Sequence, residues 1–280
     1  MAANRIKIGL STASVYPQNT EAAFRYAAEL GYDGVELMVW AESVSQDVDA
    51  VAALSREYSV PVQAIHAPCL LISQRVWGSD PVTKLSRSVE VAEKLESATV
   101  VVHPPFRWQR KYSDGFADQV AELESGSHVK VAVENMFPMR ADRFFGRKEK
   151  SAQRLERRGG PGAALSAFSP SYDPTDVGHS HYTLDLSHTA TAGSDAIEML
   201  DRMGEGIAHL HLADGRGASV DEHLIPGHGS QPCVQVCSEL VRRGFEGQAV
   251  IEINTQNART VAERSSMLGQ ALQFARTHLS

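Results

Sequence analysis

The sequence predicts an α/β protein built as a single (β/α)8 TIM barrel, and three observations carry that expectation. Eight short β-branched runs recur along the 280 residues, alternating with segments of helical periodicity. The runs are near-continuously apolar, as in Thr99-Val100-Val101-Val102, which suits a sheet covered on both faces. Eight strand-helix units in about 250 residues also match the size of one closed barrel. A doubly wound open sheet is the competing architecture. Its Gly-rich phosphate turn is missing after the first run, where Gly9-Leu10-Ser11-Thr12 stands instead.

In chain order the strands are expected at 6–12, 34–39, 62–67, 99–104, 129–135, 182–187, 207–214 and 248–254. Apolar residues at three and four spacing predict helices at 21–30, 47–58, 81–97, 115–124, 196–203, 234–243 and 258–278. Several ends carry stop and start signals. Thr20 precedes the first helix, Asp80-Pro81 starts the third, and Gly31 and Gly244 follow helices. Between the fifth and sixth strands lies a long insertion, 136–181, punctuated by Pro138, Gly159-Gly160-Pro161-Gly162 and Pro170. A connection of that length inside a barrel implies a functional segment, here a lid over the C-terminal mouth. Its stretch 140–158 holds eight basic residues against three acidic ones, so it is +5 and the rest of the chain is −12.

Composition narrows the activity. With 42% apolar and 22% charged residues, disorder is excluded as the main state. A formal charge of −7 argues against coating nucleic acid or an anionic membrane through the whole surface, so anion binding has to be local. Cys69, Cys233 and Cys237 are too few for a disulfide framework and lack the paired spacing of a structural zinc site, and Cys233 and Cys237 read as buried packing residues. A reducing, cytoplasmic setting is expected. Residues 1–7 lead directly into the first strand without an apolar signal core, and no run approaches the roughly 18 apolar residues of a membrane span.

The chemistry is concentrated where a barrel presents its active site, at the C-terminal ends of the strands. The third strand ends in His66-Ala67-Pro68, the fourth in His103-Pro104, and the fifth in Glu134-Asn135. The sixth gives Asp185-Leu186-Ser187-His188, the seventh His209-Leu210-His211, and the eighth Glu252-Ile253-Asn254, with Asp221-Glu222-His223 after the seventh. Imidazole and carboxylate together suit zinc, manganese or iron(II). Taken alone, His66 is an ordinary satisfied polar residue. A carboxylate such as Glu134 or Glu252 in an apolar strand is costlier and calls for a cation. Five histidines and four acidic groups at corresponding positions of six units have no shared structural reason, and they predict a site for one to three divalent ions.

The set His66, His103, Glu134, Asp185, His188, His211, Asp221, His223 and Glu252 resembles the xylose isomerase-like TIM-barrel superfamily, which includes sugar phosphate isomerases and epimerases and endonuclease IV. Glu134, Asp185, His211 and Glu252 are similar to the single-metal site of the isomerases and epimerases, which implies that Glu134 and Glu252 also act as catalytic acid and base. His66, His103, His188 and the Asp221-x-His223 pair resemble the three-metal set of endonuclease IV, as do Leu184-Asp185-x-x-His188-Thr189-x-x-Ala192-Gly193 and His66-Ala67-Pro68. That assignment puts one ion on His66, His103 and Glu134, a second on Glu134, Asp185, His211 and Glu252, and a third on His188, Asp221 and His223. Such clusters suit phosphate-ester hydrolysis. Three features bear on DNA cleavage, the first being the insertion after Glu134, which is expected over the mouth where it obstructs a duplex. Cys69-Leu70-Leu71 stands where the endonuclease carries an aromatic-containing wedge, and Gly227-His228-Gly229 has histidine where that branch tends to have glutamate.

The expected activity is that of a sugar phosphate isomerase or epimerase acting on a small phosphorylated or polyhydroxylated compound, with an endonuclease IV-like phosphoesterase as the alternative and a metal-containing binding protein as a third class. DNA is a possible but not favoured partner, no membrane partner is expected, and no feature demands an oligomer. Arg140 and Arg143 are candidate grips for a substrate phosphate, against a merely solvated loop. Trp108 is a candidate stacking platform, against a packed loop anchor, and His188 orients substrate hydroxyls if it holds no ion. Trp40 is a further candidate to face substrate. Glu36 is expected in a salt bridge inside the barrel, with no catalytic role.

Overall fold

Apolar runs of four to six residues form eight parallel strands that close on themselves in sequence order. They are β1 (Lys7–Ser11), β2 (Gly34–Met38), β3 (Val62–His66), β4 (Thr99–Val102), β5 (Lys130–Glu134), β6 (His181–Asp185), β7 (Ile207–Leu212) and β8 (Gln248–Ile251). The chain is an α/β TIM barrel, as its runs predicted. The computed structural model describes residues 5–68, 73, 75–138 and 166–280. Arg140, Arg143 and the proposed wedge position at 69–71 lie outside the described residues.

Outward-facing residues of the strands pack on a ring of helices. These are α1 (Thr20–Leu30), α2 (Ser43–Gln46), α3 (Val48–Tyr58), α4 (Pro81–Lys94), α5 (Arg110–Gly126), α6 (Leu186–Ala192), α7 (Ala196–Met203), α8 (Cys233–Arg242) and α9 (Val261–His278). Asn19, rather than Thr20, caps α1, its side chain accepting from Ala22 N at 3.1 Å, and Gly31 closes the helix at φ 82°. Asp80 caps α4 with Pro81 at its first turn. Two short helices, α2 and α6, escaped the periodicity, and α5 begins five residues before its expected start. Cys233 and Cys237 are buried packing residues on α8.

Ladder register positions the mouth. Asp185 pairs with His211 across β6 and β7, and Glu134 pairs with Thr183 across β5 and β6. Because side chains alternate, residues two apart on a strand share the barrel interior: Ala64 and His66, Ala132 and Glu134, Thr183 and Asp185, His209 and His211. At the opposite end, charges are settled by permanent partners. Asp33 accepts from Ile8 N at 2.8 Å, Arg5 at 2.7 Å and Arg276 at 2.6 Å, tying β1, the start of β2 and α9 together. Burial works to raise the Asp33 carboxyl, but Arg276 and the backbone bond hold it below its ordinary value. Among the described residues no helix is long and apolar enough to cross a membrane.

Candidate metal centre

All nine donors read from the sequence lie together at the C-terminal end of the barrel, in three groups that share residues. The central group hangs from His211 on β7. Its Nδ1 is 3.0 Å from Glu134 Oε1, 3.4 Å from Asp185 Oδ2 and 2.9 Å from Glu252 Oε2. The second group uses the other oxygen of Glu134. Oε2 is 3.0 Å from His103 Nε2 and 3.4 Å from His66 Nε2. In the third, Asp221 Oδ2 is 3.1 Å from His188 Nε2 and 2.7 Å from His223 Nε2. Asp185, His188 and His223 also bring one donor atom each within 4.8 Å of one another.

Backbone carbonyls aim the imidazoles. His188 Nδ1 donates to Asn135 O at 2.8 Å and His223 Nδ1 to Glu252 O at 2.7 Å, so in both rings Nε2 faces Asp221. His66 Nδ1 faces Ala67 O at 3.2 Å, which likewise leaves Nε2 toward Glu134. A neutral ring donating at one nitrogen offers a lone pair at the other, the arrangement of a ligand histidine. Asp185 serves two purposes: Oδ1 accepts from His188 N at 2.7 Å as the cap of α6, while Oδ2 points to His211. Asn135, which the sequence reading did not single out, clamps the Asp185 backbone from both sides, at 2.7 and 3.1 Å.

These residues fit divalent ions on the evidence of their own atoms. Glu134 Oε2 and Asp185 Oδ2 are buried and make no aligned hydrogen bond, their neighbours being imidazole nitrogens at 3.0–3.4 Å, a costly state for charged oxygens unless a cation meets them. Zinc bonds of about 2.0–2.1 Å at tetrahedral angles put neighbouring donors roughly 3.4 Å apart, close to the separations at Glu134 and Asp185. Without an ion, protons substitute for it. Burial works to raise Glu134, but the charges of His211, His103 and His188 hold it well below the carboxylate range. Burial works to lower His211, while Glu252, Glu36 and Glu134 hold it well above the usual imidazole value. His188 is pushed up to about 10 by Asp185, Asp221 and Glu134 against the same burial penalty.

Asp221 and His223 arrive on a loop, and the loop is held by a carboxylate. Asp214 accepts from Gly215 N (2.8 Å) and Gln231 N (3.0 Å) at Oδ1, and from Gly227 N and Gly229 N (both 2.9 Å) at Oδ2. A Cβ at Gly229 would lie 2.3 Å from Asp214 Oδ1, so only glycine allows that approach. Ser187 then donates to Asp221 Oδ1 at 2.5 Å and accepts from His223 N at 2.9 Å. His228 sits exposed in the same turn and reaches none of the three groups.

Beside His103 opens a small cleft of about 60 Å³, lined among others by Ala67, Pro68, Lys84, Trp108 and Tyr112. Trp108 lies parallel to Phe106 at 4.5 Å and is 57% exposed. The loop's anchor is therefore Phe106, buried against Met136 and Phe168, and Trp108 presents a free face. Trp40 meets Tyr16 edge-on at 5.2 Å. Glu36 forms the expected interior pairing, with His209 and His211.

A family model described as a xylose isomerase-like TIM barrel matches residues 24–161 and 176–278. An uncharacterised Mycobacterium tuberculosis protein is 65% identical over 274 residues, 98% of each chain. Fructoselysine 3-epimerase of Shigella flexneri is 20% identical over 273 residues, covering 89% of this chain and 91% of that one. Among solved structures, the IolI protein with a bound zinc atom superposes with a TM-score of 0.64 at 17% identity, covering 98% of this chain and 99% of that chain. An AP endonuclease, family 2, from Brucella melitensis gives 0.59 at 17%, covering 93% and 96%. The chain belongs to the xylose isomerase-like TIM-barrel family.

Proposed function

We propose that this chain is a divalent-metal-dependent hydrolase of a small phosphate ester. The observation that carries the reading is the division of Glu134, whose Oε1 faces the central group while Oε2 faces His66 and His103. A mononuclear centre on the central group leaves His66, His103, Asp221 and His223 with no ligand role. Zinc, manganese or iron(II) would be held by the three groups described above, from one ion to three. Bound divalent ions lower the pKa of water and offset charge on the attacking and leaving oxygens of a phosphate ester.

The chain's own residues supply the rest. Glu134 holds two groups at a fixed spacing, Ser187 and Asn135 orient Asp221 and Asp185, and His188 and His223 present Nε2 toward the mouth. Trp108 offers an apolar face for the substrate's organic part. Arg140 and Arg143, outside the described residues, are assigned to the substrate's phosphate. A cytoplasmic location and one domain spanning 1–280, with 136–181 as its lid, complete the reading.

A second reading, sugar phosphate isomerase or epimerase, has its own support. Glu134 and Glu252 both reach the same His211 nitrogen, at 3.0 and 2.9 Å, so they flank one point as an acid and base must. The full-length likeness to a fructoselysine 3-epimerase agrees with it. Metal counting on protein purified without chelator separates the two, coupled to a panel of sugar phosphates followed for phosphate release and for isomer exchange. Close to three ions with phosphate release is expected. One ion with isomer exchange and no phosphate release would replace the first reading by the second.

A further inference from the structure

Beneath the donors, the barrel interior contains a polar pair that neither reaction uses. Glu36 on β2 and His209 on β7 are both fully buried. His209 lies two residues before His211 on the same face of β7, hence deeper in the barrel. Glu36 stands two residues short of the end of β2, paired across the ladder with Ala64, whose small side chain leaves space in the interior. Glu36 Oε2 is 2.8 Å from His209 Nε2 and 3.2 Å from His211 Nε2. An ionised carboxylate shut away from water is expensive, and hydrophobic residues of similar volume would fill the space at lower cost. Its retention therefore calls for a role beyond packing.

We propose that Glu36 is a positioning residue for the metal centre. It accepts the Nε2 proton of His211 and so fixes that ring with Nδ1 toward Glu134, Asp185 and Glu252. His209 Nε2 lies 2.8 Å from the same oxygen and flanks the carboxylate from below. The arrangement is a carboxylate–histidine–metal relay buried inside the barrel, and it raises the basicity of Nδ1 as well as aiming it. The inference rests on the central metal group of the preceding section but not on which reaction occurs there.

The experiment uses the full chain, titrated with zinc in competition with a chromophoric chelator, and histidine-labelled protein whose ring tautomers are read by nitrogen NMR after zinc loading. Glu36→Met is expected to bind central zinc about 10–100-fold more weakly and to lose the Nε2-protonated signature of His211. Glu36→Gln keeps an oxygen acceptor and is expected to retain that signature, with affinity within about tenfold of wild type. Wild-type affinity or an unchanged His211 signature in Glu36→Met overturns the proposal. So does a Glu36→Gln protein as impaired as Glu36→Met, because a merely structural role would not be rescued by the acceptor. If Glu36→Met does not fold, Glu36→Ala takes its place with the same two readings, and loss of the His211 signature in Glu36→Gln overturns the proposal on its own. A wild-type protein that takes up no zinc removes the metal reading together with this one, whereas zinc-binding wild type with zinc-binding variants removes this one alone.

Discussion

The two ends of the barrel neutralise their carboxylates in opposite ways. At the floor, Asp33 is met by two guanidinium groups, which stay charged at any physiological pH, and a backbone amide. At the mouth, the charged partners of Glu134, Asp185, Asp221 and Glu252 among the described residues are all histidines, and Glu134 Oε2 and Asp185 Oδ2 make no aligned hydrogen bond. Permanent cations make a brace. Imidazoles paired with carboxylates can give up their protons to a competing cation, which is the exchange the proposed metal reading requires. The contrast separates acids paired with guanidinium groups from acids paired with imidazoles.

The largest effect is expected from Glu134→Gln, which removes the carboxylate shared by two groups. Zinc uptake should fall by more than the roughly 10–100-fold typical of an outer-shell partner, and turnover with it, while the melting temperature of metal-free protein changes little. A large drop in that melting temperature would mean that Glu134 is a brace like Asp33. Asp214→Asn should come next. An amide has only one acceptor oxygen for four amide donors, so the loop carrying Asp221 and His223 loosens. Metal analysis should show one ion lost and the others retained. Uniform loss from all groups would show that the loop group is no separate unit.

The smallest effect belongs to the floor. Asp33→Asn is expected to cost about 1–2 kcal/mol in denaturant unfolding, with zinc affinity unchanged. Its pH dependence sharpens the contrast. The Asp33 carboxyl is held below its ordinary value, so its contribution is present above about pH 4 and lost as pH falls through the folded value. In metal-free protein His188 runs the other way: raised to about 10, it contributes fully below about pH 6.5, and the contribution is lost as pH rises toward 10. Metal-free wild type that loses stability only on acidification would contradict that pairing at the mouth.

Much of this was legible in the sequence because strand ends are marked twice, by the close of an apolar run and by a donor residue. His66, His103, Glu134, Asp185, His211 and Glu252 each stand at such a close. Asp221 and His223 were legible by their own spacing after the seventh run. What stayed hidden follows from physics that local pattern does not encode. Helix α6 was missed because Asp185 is at once the end of β6, a donor and a helix cap, so the strand reading ran on to Ser187. Glu36 looked like one polar interruption in an apolar strand, since its partners lie more than 170 residues away. The ring nitrogen each histidine presents depends on backbone carbonyls such as Asn135 O and Glu252 O, which no side-chain pattern reveals.

The pairing of Asp185 with His211 along the β6–β7 ladder carries a consequence for engineering. Donor spacing there is written in backbone hydrogen bonds, so it is indifferent to what the connecting segments contain. The distance from Asp185 to His211 is therefore a property of the ladder itself, and a change that slips β6 against β7 by one residue would part the two side chains to opposite faces while leaving both residues in the sequence.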